Sequence, residues 1–221
     1  MNAAARPRVR LHFAQSLDGR IGLIGVRTPL SSRRGFELAH RARAEHDAVL
    51  VGRATVQIDD PRLAVSEPSG RHPRRVVLAS SLDVPSNARV LCGGPGTLVI
   101  GVRDRATAQA RARLVEAGAR VELVAAGEDG WVSLHEALAV VRDWGVETLL
   151  VEGGGSVLSS FLRHRLADEA TIEIVPRLLG APAIAAVGAI GVGDLGRAVA
   201  LEDPSVERAE ESIVVRGRLA Y

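Results

Sequence analysis

Along most of the chain, short apolar runs alternate with stretches that carry apolar residues at helical spacing. VRLHFA at 9–14, DAVLVG at 47–52, RRVVLAS at 74–80, GTLVIGV at 96–102, RVELVAA at 120–126 and ETLLV at 147–151 read as strands. Nearly continuous apolar runs of this kind suit strands covered on both faces. Between them lie helical patterns. SRRGFELAHRARAEH (32–46) opens on a capping serine, ATAQARARLVEAG (106–118) stops at Gly118, and SLHEALAVVRDWG (133–145) has a serine start and a glycine end. Leu134, Leu138 and Val141 give the last of these one buried face. GSVLSSFLRH (155–164) is a further helix, and DDPRL (59–63) a turn-rich segment.

Beyond that helix the rhythm changes. ATIEIVPRLLG (170–180), the Gly/Ala-rich 181–198 and VERAEESIVVRGRL (206–219) read as strands and loops with little helix. The pattern predicts an α/β protein with a mainly parallel central sheet flanked by helices, the terminal pair forming an antiparallel edge. No repeat or linker divides the chain, so residues 1–8 read as a flexible N-terminus and 9–221 as a single domain.

Composition narrows the chemistry. The 221 residues are 47% hydrophobic, enough for a sizeable core. No apolar stretch approaches the roughly 18 residues of a membrane span, and MNAAARPRVR lacks the apolar centre of a secretory signal. A cytoplasmic protein without membrane contact is expected. A single cysteine, Cys92, excludes an internal disulfide and a multi-cysteine zinc site, and the six histidines form no HExxH pair, so no metal is expected. There is no lysine; all 28 basic residues are arginines. Schiff-base and P-loop lysines are therefore excluded, and a phosphate must be held by arginine, hydroxyls or backbone N–H groups. With a net charge of +2 and 3% aromatics, nucleic acid is not an expected partner. RHPRR at 71–75 reads as a solvated loop before a strand.

The stretch LLVEGGGSVLSS (149–160) changes the picture most. Three glycines and a serine stand between a strand and a helix, where ligands of parallel sheets bind. Glycines let backbone approach a phosphate, and the following helix offers free N–H groups; a tight turn without a ligand is the alternative. Glu152 would repel a phosphate, so it suits a second ligand bearing hydroxyls or amines. GxGxxG after the first strand is missing. QSLDGR at 15–20 and VGRATVQIDDPRL at 51–63 follow the first two strands, the second with Thr55, Asp59 and Asp60 together; adjacent carboxylates before a proline also suit a capped turn.

Together SLDGR, HRARAEHDAVLVGRATVQIDDPRL, LLVEGGGSVLSSFL and LADEATIEIVPRLLG stand in the order and spacing of one family. From about Val9 to Gly180 the chain resembles the pyrimidine reductases of riboflavin biosynthesis, found alone or fused to a deaminase. The resemblance implies a dihydrofolate-reductase-like fold, a homodimer, and NADPH-dependent reduction of a ribosylamino-pyrimidine 5′-phosphate to its ribitylamino product. The activity it implies is that of a 5-amino-6-(5-phosphoribosylamino)uracil reductase. A fused deaminase would need a zinc site of HxE and PCxxC type, which one cysteine does not supply; the chain looks like the stand-alone reductase.

By the same resemblance, Ala14, Thr55, Asp59, Ser80 and the turn Gly153, Gly154, Gly155 and Ser156 lie by the cofactor. Thr28, Arg43, Leu63 and Glu152 meet the substrate, the first two at its phosphate. Asp59, then Glu152, are the candidates for orienting or donating a proton, alongside a held water. Two positions depart from the pattern of bifunctional members, which often carry a lysine at the position of His12 and an arginine near Ser66. Arg62 or Arg27 could serve instead, and the SSRRG start of the first helix is a further candidate anion site. Other readings are a same-fold reductase of a pterin or specialised metabolite, and a dinucleotide-binding protein without turnover.

Overall fold

The computed structural model describes residues 6–65 and 71–221. In chain order the elements are β1 (Arg8–Ser16), β2 (Arg20–Leu23), α1 (Arg33–Glu45), β3 (Ala48–Gly52), α2 (Arg53–Asp59), β4 (Arg74–Leu78), β5 (Thr97–Val102), α3 (Ala108–Glu116) and β6 (Arg120–Val124). There follow α4 (Leu134–Asp143), β7 (Thr148–Gly153), α5 (Gly155–Arg163), β8 (Glu169–Val175), β9 (Ala183–Ala185), β10 (Ala200–Ala209) and β11 (Ser212–Ala220). They group into two compact units. One is Arg43–Leu149 with the N-terminal residues through Arg8; the other is Val9–Ala42 with Leu150–Tyr221.

In the first unit β3, β4, β5 and β6 pair in parallel, in that order. Every residue of β3 and β5 is buried, as continuous apolar runs require when both faces are covered. Thr107 caps α3 by accepting from the Ala110 N–H at 3.1 Å, and Ser133 caps α4 through the Glu136 N–H. Gly118 and Gly145 end these helices at φ of 88° and 79°, where a side chain would be strained. Leu134, Leu138 and Val141 are buried as expected. Asp47 braces the start of β7, accepting from the N–H groups of Glu147 (3.1 Å) and Thr148 (3.0 Å) and from the Thr148 hydroxyl.

Two local expectations need correcting in this unit. The segment after β3 is the helix α2, which sequence reasoning missed. It is seven residues long, its N-cap Gly52 has no side chain, and only Val56 is buried, so it shows neither periodicity nor a start signal. RHPRR is not a solvated loop throughout, because Arg74 and Arg75 begin β4. Arg74 lies over the Trp144 ring at 5.0 Å. Arg75 is 3% exposed and donates to the carbonyls of Val90 (2.7 Å), Cys92 (3.0 Å) and Gly93. Burial lowers its pKa, opposed in part by Cys92.

The second unit holds β10, β11, β8 and β1 side by side, with β7 beyond β1. β1 and β8 are parallel, with Ala14 opposite Glu173. β11 is antiparallel to β8, and β10 to β11, giving the expected antiparallel C-terminal edge. Leu38 of α1 packs with Ala209 and Val214, and Phe161 of α5 is wholly buried. A small antiparallel pair, β2 with β9, was not legible from the sequence. Residues 1–5 of the N-terminal segment lie outside the described residues; Pro7 is buried and Arg8 already belongs to β1. Among the described residues no helix is long and apolar enough to cross a membrane.

Candidate functional site

The glycine turn joins β7 to α5. Gly153 and Gly154 have φ of 67° and 101°, conformations that favour glycine. Gly155 is needed for another reason: a Cβ there would lie 2.3 Å from the Ala185 carbonyl oxygen. The N-cap of α5 is Gly154, which offers no side chain, and the first bond along the helix is Leu158 N–H to Gly154 O at 3.0 Å. Helix N-termini of this kind present free N–H groups and the positive dipole end. Ser156 is exposed beside them, and Glu152 stands half-buried at the end of β7. The buried Ser159 hydroxyl donates to Gly155 O at 2.5 Å and accepts from the Gly188 N–H at 2.8 Å.

The other candidate anion site, SSRRG at the start of α1, is closed from within. Glu173 is 5% exposed, and its carboxylate accepts from the Ser32 N–H (3.0 Å) and hydroxyl (2.7 Å). Ser32 Oγ in turn accepts from the Gly35 N–H at 3.0 Å. Gly35 makes room for this: a Cβ would sit 2.0 Å from Glu173 Oε2. A carboxylate already satisfies the end of α1, so the expectation of an external anion there is withdrawn. Sequence reasoning missed Glu173. Its signal was a glutamate between two isoleucines in a strand, at a position the period of two turns inward.

SLDGR forms the loop after β1. Asp18 accepts from Ser16 Oγ at 2.5 Å and from the N–H groups of Leu179 (3.1 Å) and Gly180 (2.7 Å). The Ser16 hydroxyl and these two N–H groups hold its carboxyl at a pKa of about 2. Thr28 Oγ donates to Val26 O at 2.9 Å and accepts from the Leu23 N–H at 3.0 Å. Its single proton is thus used, and it must rotate to meet a phosphate oxygen. Ala14 is half-buried on β1, His12 faces Thr171 in register two residues earlier, and Arg27 is exposed.

In the first unit Thr55 and Asp59 are half-buried one turn apart on α2, a spacing that puts both on one face. The neighbouring carboxylates have parted. Asp60 is the left-handed C-cap of α2 (φ 41°), and its side chain accepts from the Arg89 N–H at 2.7 Å. Leu63 is buried with φ 51°, a second left-handed residue three positions on, in a conformation that costs on the order of 1 kcal/mol. Arg43 donates to Ala64 O at 3.2 Å, which ties the last turn of α1 to this segment. Ser80 is buried just after β4, its carbonyl bonded to the Val102 N–H at 2.9 Å. Arg62 is exposed, and Ser66 lies outside the described residues. Among the described residues no group of histidine, cysteine and carboxylate side chains could hold a metal ion.

Comparison with known proteins agrees with this architecture. The sequence profile of the RibD C-terminal domain matches residues 7–215. A Methanothermobacter thermautotrophicus protein named 2,5-diamino-6-ribosylamino-4(3H)-pyrimidinone 5′-phosphate reductase is 36% identical over 201 residues, 89% of this chain and 91% of that one. The structure of Acinetobacter baumannii RibD is similar with a TM-score of 0.84 at 24% identity; 98% of this chain is covered, which spans 59% of that one. That of the Saccharomyces cerevisiae riboflavin biosynthesis reductase Rib7 is similar with a TM-score of 0.78 at 20% identity, over 100% of this chain and 93% of that one. These likenesses support the α/β, dihydrofolate-reductase-like fold with a mainly parallel sheet and antiparallel C-terminal strands.

Proposed function

We propose that this chain, which belongs to the RibD C-terminal domain family, reduces 2,5-diamino-6-ribosylamino-4(3H)-pyrimidinone 5′-phosphate with NADPH, yielding the ribitylamino compound. The observation that carries this reading is the match to a reductase of that name over nearly the whole of both chains. The turn geometry supports it: a helix start without a side-chain cap fits the phosphates of a dinucleotide.

The ribosylamino group reacts as its ring-opened imine, whose C1′ takes up hydride and whose nitrogen takes up a proton. A bound nicotinamide supplies the hydride, and the chain supplies positioning and the proton path. On this reading the N–H groups at Gly154–Ser156 grip cofactor phosphates, and Gly153 gives the backbone its bend. Ala14, Thr55 and Ser80 orient the cofactor. Arg43 and the Thr28 hydroxyl hold the substrate phosphate, Leu63 packs on the substrate, and Glu152 accepts from its hydroxyl or amino groups. Asp59, on the same face of α2 as Thr55, orients or donates the proton, directly or through a water, with Glu152 the second candidate. The active species is a homodimer, which sedimentation at working concentration tests. Reading residues 9–221 as one domain implies a single unfolding transition in calorimetry.

The deciding experiment is NADPH consumption by purified protein with the diamino compound and its deaminated counterpart offered in parallel. Turnover with the diamino compound in preference is expected. Tight NADPH binding with turnover of neither would overturn the substrate and leave the cofactor.

A further inference from the structure

The two motifs of the second unit, SLDGR and the glycine turn, are joined by a strap, residues 179–188. At its start, Leu179 and Gly180 donate to the Asp18 carboxylate at 3.1 and 2.7 Å. In its middle, Ala185 pairs with Arg20, and the Ala186 N–H donates to Gly19 O at 2.9 Å. The Ala185 carbonyl lies so close to Gly155 that any Cβ there would sit 2.3 Å from it. At its end, the Gly188 N–H donates to Ser159 Oγ at 2.8 Å, and that hydroxyl donates onward to Gly155 O. Every link from Asp18 to the first turn of α5 is a hydrogen bond, a strand pair or a close backbone approach.

We propose that Asp18 is a positioning residue for the glycine turn, acting through the 179–188 strap and Ser159. The inference rests on the reading that this turn holds the cofactor's phosphates. Asp18 itself is exposed, so it contributes little to the core. A carboxylate is needed because its two oxygens accept from two backbone N–H groups and a hydroxyl together. An asparagine has one accepting oxygen and must release part of that set.

The test is direct NADPH binding, read by nicotinamide fluorescence on the full chain, with hydrogen exchange of the strap amides as a second readout. Asp18→Asn and Ser159→Ala are each expected to raise the NADPH Kd by roughly tenfold, the scale of one lost hydrogen bond. Because both act on one path, the double variant should be weaker by less than the product of the two. Exchange at 179–188 should rise in Asp18→Asn while melting temperature stays near that of the parent. Gly154→Val, which blocks the turn itself, separates the two ideas. If it abolishes NADPH binding while Asp18→Asn leaves Kd unchanged, the positioning role is wrong and the phosphate turn stands. If Gly154→Val also leaves Kd unchanged, the turn does not hold the cofactor. Full multiplicativity of the two single variants would likewise overturn a shared path.

Discussion

Two helix starts in the second unit look alike in sequence and differ in fate. α1 opens on SSRRG and α5 on GGGS, each small and polar, and each a plausible place for an anion. At α1 the buried carboxylate of Glu173 accepts from Ser32, and Gly35 clears space for it. At α5 the cap is a glycine with no side chain, with an exposed serine beside it. One helix start is satisfied by a carboxylate from within the fold; the other has no side-chain cap. An anion site is therefore not a property of a helix end alone. It depends on whether the rest of the chain has already supplied the negative charge.

The contrast can be broken most forcefully at Glu173. Glu173→Ala leaves the Ser32 N–H and hydroxyl without their buried acceptor and is expected to destabilise by about 3 kcal/mol, seen in urea unfolding. NADPH binding by the folded fraction should be unchanged, and a lost cofactor site would contradict the division of roles. Gly35→Ala should act in the same direction, since its methyl group competes with the carboxylate for one place. Conversely, Ser156→Asp gives α5 the internal carboxylate that α1 already has. It is expected to raise the NADPH Kd by about tenfold or more while stabilising the helix by at most about 0.5 kcal/mol.

The smallest effect on stability belongs to Asp18, and acid removes it. Its folded pKa, lowered to about 2, lies below the ordinary aspartate value of 3.8. A depressed carboxyl contributes stability above its unfolded pKa and loses it as pH falls through the folded one. The stability difference between the parent and Asp18→Asn should thus hold from neutral pH to about 4 and vanish toward pH 2. A difference that disappears near pH 6 would assign the strap contacts to another group.

Much of this was legible residue by residue. The apolar runs marked the parallel strands, and Thr107 lies at the cap of a helix whose end, Gly118, the pattern located. The stretch 170–180 was readable as a strand, and the last segment as its antiparallel edge. The glycine turn stood out as three glycines and a serine between a strand and a helix. What escaped notice was short or compensated. α2 has one buried residue and no capping side chain, and β9 has three residues. Arg75 looked like a surface charge, yet three carbonyls satisfy it in the interior. The resemblance singled out Asp59, but residue spacing alone did not part it from Asp60; the left-handed cap and the Arg89 N–H distinguish them.

The sequence by itself determined most of the elements, their order and the chemistry available, because periodicity, caps and turn residues act within a few positions of one another. It also settled that any phosphate must be met without lysine. Only the tertiary structure decided which helix start is closed and what each glycine is for. Glu173 reaches Ser32 across 141 positions, and Gly155 meets a carbonyl 30 residues later. Such pairings follow from the demand that buried charge and backbone be satisfied in space, a demand that spacing along the chain does not record.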